Sequence, residues 1–396
     1  MTHLLPHDVR PTEFDALLPA ILADLEELVT VESPSADPAA VAAGAARVAR
    51  VGAKALGAEP EVLLQEGCTH LRWRLGAGPR RVLLLCHQDT VWPLGTLAEI
   101  PWSVADGVVR GPGCFDMKAG IVLAFTALAR LQAAGEDLDG VTVLVTGDEE
   151  IGSPTSADLI RAEAAGCAAV LVLEASADGG ALKTGRKGAS MYDLVVTGRA
   201  AHAGLEPEKG ISSTVELAHQ VLAIADLADP ALGTTVTPTV LTSGTTTNTV
   251  PATGRLSVDV RALTAAEQQR VDAGMRALTS QLPGAVLELR GGINRPPLEE
   301  TASAGLFALA TAVSEQLGLP APVGVTVGGA SDGNLTAGIG VPTLDGLGAV
   351  GGGAHAVDEH VLADQLPGRA ALLAGLVRTV LDGGGVGVAD EERPGE

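Results

Sequence analysis

Between residues 81 and 174 the chain alternates between two textures. "RVLLLC" (81–86), "VTVLVTG" (141–147) and "AAVLVLE" (168–174) are short, almost wholly apolar runs. "GIVLAFTALARLQAAG" (120–135) and "SADLIRAEAAG" lie between them and carry apolar residues at helical spacing. Short apolar runs that stop at Gly or a charged residue read as strands covered on both faces. Strands that alternate with helices form parallel pairs joined by crossovers. This alternation predicts an α/β fold with a mostly parallel sheet flanked by helices. In such a sheet the C-terminal ends of the strands share one edge, which is where open α/β sheets bind ligands.

The residues that end these runs are chemically alike. "LLLCHQDT" places His87 and Asp89 two apart at a strand end, so both point to one face. A carboxylate beside an imidazole suits a metal ligand and the partner that fixes its tautomer; a polar pair capping a strand is the plainer alternative. "RGPGCFDMKAG" (110–120) puts Asp116 in a Gly-rich turn before an apolar helix, where an N-cap is the plain alternative. "VTVLVTGDEEIG" delivers Asp148, Glu149 and Glu150 in succession, and Glu174 ends "LVLEAS". Several carboxylates converging on one edge raise each other's pKa values and are costly to keep ionised unless cations join them. Scattered solvated acids, the competing reading, would not each terminate an apolar run.

Among the histidines, His355 in "GAVGGGAHAVDEH" is a further ligand candidate, with His360 as the fallback. His202, in "GRAAHAGLEPEKG", lies in a different part of the chain, and His3, His7, His70 and His219 have no matching context. Cys86 alternates to the face opposite His87 and reads as a buried thiol.

After residue 186 the texture changes. Thr- and Val-rich strands such as "TVTPTVLTSG" and "RLSVDVRAL" outnumber helices, and the helices expected near 211–227 and 264–281 are interspersed among them. The expected organisation is a catalytic domain in two parts, 1–186 and 297–383, an inserted α+β domain at 187–296, and a disordered tail at 384–396. Residues 13–29 and 38–56 are expected to be helical.

The formal net charge of −22 disfavours nucleic acid and anionic membrane surfaces as partners. The chain has no apolar stretch long enough to span a bilayer and no signal-peptide pattern at its start. Its four cysteines form no CxxC pair, so reduced thiols and a cytoplasmic location are expected. A serine-nucleophile mechanism through Ser190 or Ser331 is the weaker reading: Ser190 lies outside any GxSxG sequence, and Ser331, although "GASDG" matches those letters, has no other feature of a nucleophile elbow in the sequence.

"HQDTV", "GPGCFDMKAG", "TGDEEIGS", "LEAS", "GRAAHAG", "TNTVPA", "DVRA" and "GGASDG" occur in one order along residues 15–382. Together they resemble the dinuclear zinc aminoacylase/carboxypeptidase family, in particular its bacterial glutamate carboxypeptidase branch. The resemblance implies two zinc ions, replaceable by cobalt or manganese, bridged by Asp116. It implies His87 and Glu174 on one metal, Glu150 and His355 on the other, Asp89 orienting His87, and Glu149 as general base. A cis peptide bond at Asp116–Met117 is implied as well, although relatives often have a second Asp where this chain has Met117.

The inserted domain resembles a lid and dimerisation domain. His202 corresponds to a histidine that polarises the substrate carbonyl across a homodimer, and Asn248, Arg261 and Arg295 to substrate-binding residues. The activity implied is hydrolysis of an amide bond beside an amino acid with a free carboxylate, on an N-acyl amino acid or peptide. N-acyl-amino-acid deacylase and dipeptidase activities are the alternatives within the family. A non-catalytic, metal-stabilised dimeric binding module is the alternative outside it, and loss of the general base or of a ligand would favour that reading.

Overall fold

The computed structural model describes residues 10–383. His3, His7 and the expected disordered tail at 384–396 lie outside the described residues. The chain forms two compact units. One contains the described residues up to Thr184, Glu300–Thr326 and the described residues from Ser331 onward; the other is Gly185–Glu299 with Val327–Ala330.

The first unit is built on a sheet of β1 (Glu61–Gln65), β2 (Cys68–Leu75), β3 (Val82–His87), β4 (Val141–Thr146), β5 (Ala169–Val172) and the short strand Thr343–Leu344. Their spatial order is β1-β2-β4-β3-β5 and then Thr343–Leu344. The pairs β3–β4, β3–β5 and β5 with Thr343–Leu344 are parallel, whereas β1–β2 and β2–β4 are antiparallel. The apolar runs expected to be strands form the parallel part, and each is buried throughout. Alternate residues serve opposite faces. Leu84, Cys86, Val143, Val145 and Leu171 join the core that contains the helix Ala119–Ala133, while Leu83, Leu85, Leu144, Val170 and Val172 join the core that contains the helix Ala157–Ala164.

This two-sided cover follows from connection geometry. The helix Ala119–Ala133 joins β3 to β4 on one side, and Ala157–Ala164 joins β4 back across β3 to β5. Crossovers are right-handed, so reversing direction across the sheet puts the second helix on the opposite face. The strand order therefore reverses at β3, which creates a crevice beyond the C-terminal ends of β3, β4 and β5.

The stretch 13–29 forms two helices rather than one, Pro11–Asp15 and Leu18–Val29. Pro19 has no N–H to donate and its ring crowds the carbonyl four residues back, so the helix restarts there.

The second unit contains an antiparallel sheet of β6 (Gly188–Thr197), β7 (Thr235–Ser243), β8 (Thr253–Ala262) and β9 (Val286–Arg295), in the order β7-β8-β6-β9. The helices Ser213–Ala225 and Ala265–Arg276 contribute Leu217, Ile224, Val271 and Met275 to a core with Leu194, Val196, Leu256 and Val258 of the sheet.

Candidate metal centre

His87 ends β3 with its ring fully buried. Its Nδ1 lies 3.1 Å from the main-chain oxygen of Asp89 and 3.5 Å from that residue's carboxylate Oδ1. With acceptors on the Nδ1 side, the neutral ring keeps its proton there and turns the Nε2 lone pair outward. Nε2 faces Asp116 Oδ1 and Glu174 Oε1, each at 3.3 Å. The other Asp116 oxygen, Oδ2, lies 3.3 Å from His355 Nε2, and Glu150 Oε2 is 3.2 Å from the same nitrogen. One aspartate thus offers its two oxygens to two different imidazoles, and each imidazole also meets a different glutamate.

Local backbone features hold these side chains in place. Gly113 precedes the Asp116 turn at φ +73, and a Cβ there would stand 2.5 Å from Thr90 Cγ2. The Asp116–Met117 peptide is cis. His355 adopts a left-handed φ of +60, a conformation that non-glycine residues rarely take and that marks functional positions more often than chance. The Asp89 carboxylate accepts from Ser35 Oγ at 2.6 Å and from the main-chain N–H groups of Glu149 and Glu150 at 3.2 and 3.1 Å. Asp89 therefore fixes both the His87 ring and the turn that presents Glu149 and Glu150.

The turn has a second support that sequence reasoning did not find. Gly147 N–H donates to His70 Nδ1 at 3.2 Å, and His70 Nε2 lies 3.0 Å from Thr155 Oγ1. The Thr155 hydroxyl donates to Asp148 Oδ2 at 2.7 Å, and Asp148 also accepts from the Thr155 and Ser156 N–H groups. Burial pulls the His70 pKa down, which matches a neutral ring with one accepting and one donating nitrogen. Cys68, His70 and Asp148 are close enough to share an ion, but the nitrogens of His70 and the oxygens of Asp148 are taken up by these bonds. His70 is buried and contiguous with the site only in three dimensions; nothing near it in the chain distinguishes it from a core histidine.

The electrostatics of the cage call for positive charge. Burial alone would lower the His87 pKa, yet Asp116, Asp89 and Glu174 together push it well above that of an ordinary imidazole. His355, beside Asp116 and Glu150, is pushed up to about 10. Burial pushes the Asp116 carboxyl up, but the two imidazoles outweigh it and hold Asp116 below the usual carboxylate range. Glu150 is raised, chiefly by burial. His87 Nε2, Asp116 Oδ1 and Glu150 Oε1 are buried with no hydrogen-bond partner among the described residues. Such atoms are costly to orphan and are what metal coordination satisfies. Ligand atoms of His87, Asp116 and Glu150, and of His87, Glu149 and Glu174, lie within 4.8 Å of one another in each group. The donors are nitrogen and carboxylate oxygen, a set suited to zinc and similar divalent ions. The residues present fit a pair of cations.

The remaining candidates have other settings. His360 sits in the strand His360–Leu362 with its ring 2.9 Å from the Asp358 carbonyl. Cys86 packs in the core on the face away from His87, and burial pushes its thiol pKa up. Ser190 Oγ accepts from Gln268 Nε2, and Ser331 Oγ donates to the Asp345 carboxylate at 2.6 Å and accepts from Gly333 N–H at 3.1 Å.

His202, Asn248, Arg261 and Arg295 belong to the second unit. His202 ends the strand Ala201–His202 and Asn248 immediately precedes its partner strand Thr249–Val250, and the Asn248 carbonyl accepts from Ala203 N–H. His202 Nδ1 accepts from Gly204 and Leu205 N–H at 3.1 Å each, so the neutral ring carries its proton on the exposed Nε2. Arg261 is forked onto Asp259, Nε to Oδ1 at 2.9 Å and Nη2 to Oδ2 at 2.8 Å. Arg295 is buried at the end of β9, where its carbonyl accepts from Gln268.

Residues 83–379 match the family described as peptidase family M20/M25/M40. The chain belongs to that family. It is 32% identical over 372 residues to carboxypeptidase G2 from Pseudomonas sp. (strain RS-16), covering 91% of this chain and 89% of that protein. It is 26% identical over 365 residues to succinyl-diaminopimelate desuccinylase from Dechloromonas aromatica (strain RCB), covering 83% of this chain and 90% of that protein. Among solved structures, the YXEP protein of Bacillus subtilis, described as a dinuclear metal-binding peptidase of the M20 family, superposes with a TM-score of 0.63 at 15% identity, covering 93% of this chain and 99% of that one. This M20 member is an enzyme, a metallopeptidase-type hydrolase of peptide or amide bonds. No helix among its described residues is long and apolar enough to cross a membrane.

Proposed function

We propose that the protein is a zinc-dependent carboxypeptidase-like hydrolase that releases an amino acid with a free carboxylate from an N-acyl or peptidyl substrate. The observation that carries this reading is the pair of imidazoles, His87 and His355, facing the two oxygens of Asp116. In this reading His87, Asp116 and Glu174 hold one ion, and Asp116, Glu150 and His355 hold the other. When bound, the ions supply Lewis-acid polarisation of the scissile carbonyl and a water of lowered pKa.

The protein's own residues do the rest. Asp89 keeps the His87 proton on Nδ1 and the Glu149–Glu150 turn in place. Glu149, in reach of His87 and Glu174, accepts the proton of the attacking water and returns it to the leaving nitrogen. His202, its Nε2–H exposed, serves as a donor to the developing oxyanion. Asn248, Arg261 and Arg295 bind the substrate's carboxylate end, and for Arg261 this means exchanging or sharing its Asp259 partner.

The similarity to carboxypeptidase G2 supports the carboxypeptidase reading, and the weaker similarity to the desuccinylase supports deacylation of an N-acyl amino acid as the second. We place the enzyme in the cytoplasm as a homodimer. Its cysteines are unpaired, and the outer strand β7 with its neighbouring helix exposes Val215, Leu222, Val240 and Leu241.

The test is to strip the protein with a chelator, restore it with zinc, cobalt or manganese, and profile N-acyl amino acids and dipeptides. Activity is expected to vanish and return, with preference for substrates that end in a free carboxylate. Chelator-resistant turnover, or equal turnover on substrates with an amidated end, would refute the proposal.

A further inference from the structure

One buried carboxylate near the cage has no part in the chemistry above. Glu359 is only 1% exposed. Its Oε1 accepts from the N–H groups of Phe115 and Asp116 at 2.9 and 3.1 Å. Its Oε2 accepts from Gly113 N–H at 2.9 Å and from Trp92 Nε1 at 2.8 Å. Four donors therefore converge on two oxygens, which meets the acceptor capacity of a carboxylate. Three of those donors belong to the turn that presents Asp116.

Glu359 closes the second of two consecutive tight turns, the first of which contains His355. Its N–H donates to the Ala356 carbonyl at 2.9 Å, and the Ala356 N–H donates to the Gly353 carbonyl at 2.9 Å. A Cβ on Gly353, at φ +74, would stand 2.8 Å from Glu359 N, so the turn closes only around glycine. Arg110 Nη1 holds the adjoining Asp358 carbonyl at 3.1 Å. The buried Lys118 ammonium, which donates to the Val31 carbonyl at 2.8 Å, lies where the Glu359 charge acts on it.

The segment that carries His355 and the turn that carries Asp116 come from distant parts of the chain, and Glu359 bonds one directly to the main chain of the other. We propose that Glu359 is a positioning residue that sets the spacing between Asp116 and His355, and thereby the affinity of the metal position which those two share with Glu150. This rests on the dinuclear reading above. Hydrogen bonds that orient a ligand's own backbone act on the metal as side-chain partners of ligands do, and their loss typically costs 10–100-fold in affinity. A glutamine cannot replace the carboxylate. Whichever way its amide turns, the NH₂ faces two N–H donors, so two of the four bonds are lost and donors are set against donors.

The experiment measures stepwise zinc and cobalt affinities of the full-length, chelator-stripped protein by competition with a chromophoric chelator. It compares the unaltered chain with Glu359→Gln and with Trp92→Phe, which removes one donor and leaves the carboxylate in place. The unaltered protein is expected to take two equivalents. Glu359→Gln is expected to bind the first with unchanged affinity and the second at least about tenfold more weakly. Trp92→Phe should show the same asymmetry at a few-fold, and it decides the question if Glu359→Gln does not fold. Unchanged affinities for both equivalents, or equal weakening of both steps, would overturn the proposal. Fewer than two equivalents in the unaltered protein would instead overturn the dinuclear reading, a result readable before any variant is made.

Discussion

At the residue scale, the site is a set of charges that are stable only in one another's company. Glu149 is buried in the group with His87 and Glu174, close enough to exchange a proton at the cage but adjacent in the chain to Glu150, which faces His355. Glu149→Gln removes the proton acceptor and keeps size and hydrogen-bonding capacity. It should lower kcat by about 10²–10⁴-fold while metal analysis still finds two equivalents; near-normal turnover would take Glu149 out of the mechanism. The histidines make a second prediction. The neighbouring carboxylates push the His355 pKa up to about 10 and raise that of His87, which favours the protonated rings when no ion is bound. Metal must displace those protons, and apparent affinity should rise with pH, by about tenfold per pH unit for each proton displaced. Competition titrations at about pH 6.5 and 7.5 would read this rise, and a flat profile would count against imidazole ligation. His87, the Glu149–Glu150 pair and Glu174 stood out in the sequence because they follow apolar runs, and Asp116 and His355 because they sit in Gly-rich segments. His70 did not, because its role depends on Gly147 and Thr155 standing on either side of it in space.

At the element scale, glycine is needed where backbones nearly touch. The helix Ala119–Ala133 begins so close to β5 that a Cβ on Gly120 would stand 2.0 Å from the Leu173 carbonyl oxygen, next to Glu174. That oxygen is main chain and cannot swing away. Gly120→Ala should therefore destabilise the protein by about 1–3 kcal/mol or more, with weakened metal binding through displaced Glu174. Gly135, just past the same helix's C-terminus at φ +80, has nothing within 4 Å of its added Cβ. Gly135→Ala should cost only about 1–2 kcal/mol, the penalty of the left-handed conformation, with metal binding unchanged. Urea unfolding of the two variants separates steric clash from backbone strain. The helix expected over 13–29 shows the limit of periodicity at this scale. Its apolar spacing runs through Ala16 and Leu17, but Pro19 interrupts the hydrogen-bond ladder and two helices result.

At the scale of the whole molecule, the described cage draws on β3, the Asp116 turn, the loop after β4, the loop after β5 and the His355 segment, so metal binding is coupled to folding of the first unit. A ligand that binds the folded state at about a thousand times its Kd adds about 4 kcal/mol of stability. Chelation should accordingly lower the thermal midpoint, and excess zinc should restore it, as followed by scanning calorimetry at constant pH. A midpoint indifferent to metal would argue that the cage is not occupied in solution. What the sequence determined by itself was the order of the parallel strands and the helices between them, the chemistry at their ends and the α+β texture of the second unit, because periodicity, glycine and charge act over a few residues. It did not determine that β1 and β2 extend the parallel strands antiparallel, since pairing partners are chosen across space. Nor did it show that Arg261 is forked onto Asp259, or that Glu359 reaches the Asp116 turn across a sequence separation of 243 residues. Those contacts exist only once the chain has folded, because a buried polar group takes whichever partner the packing brings to it.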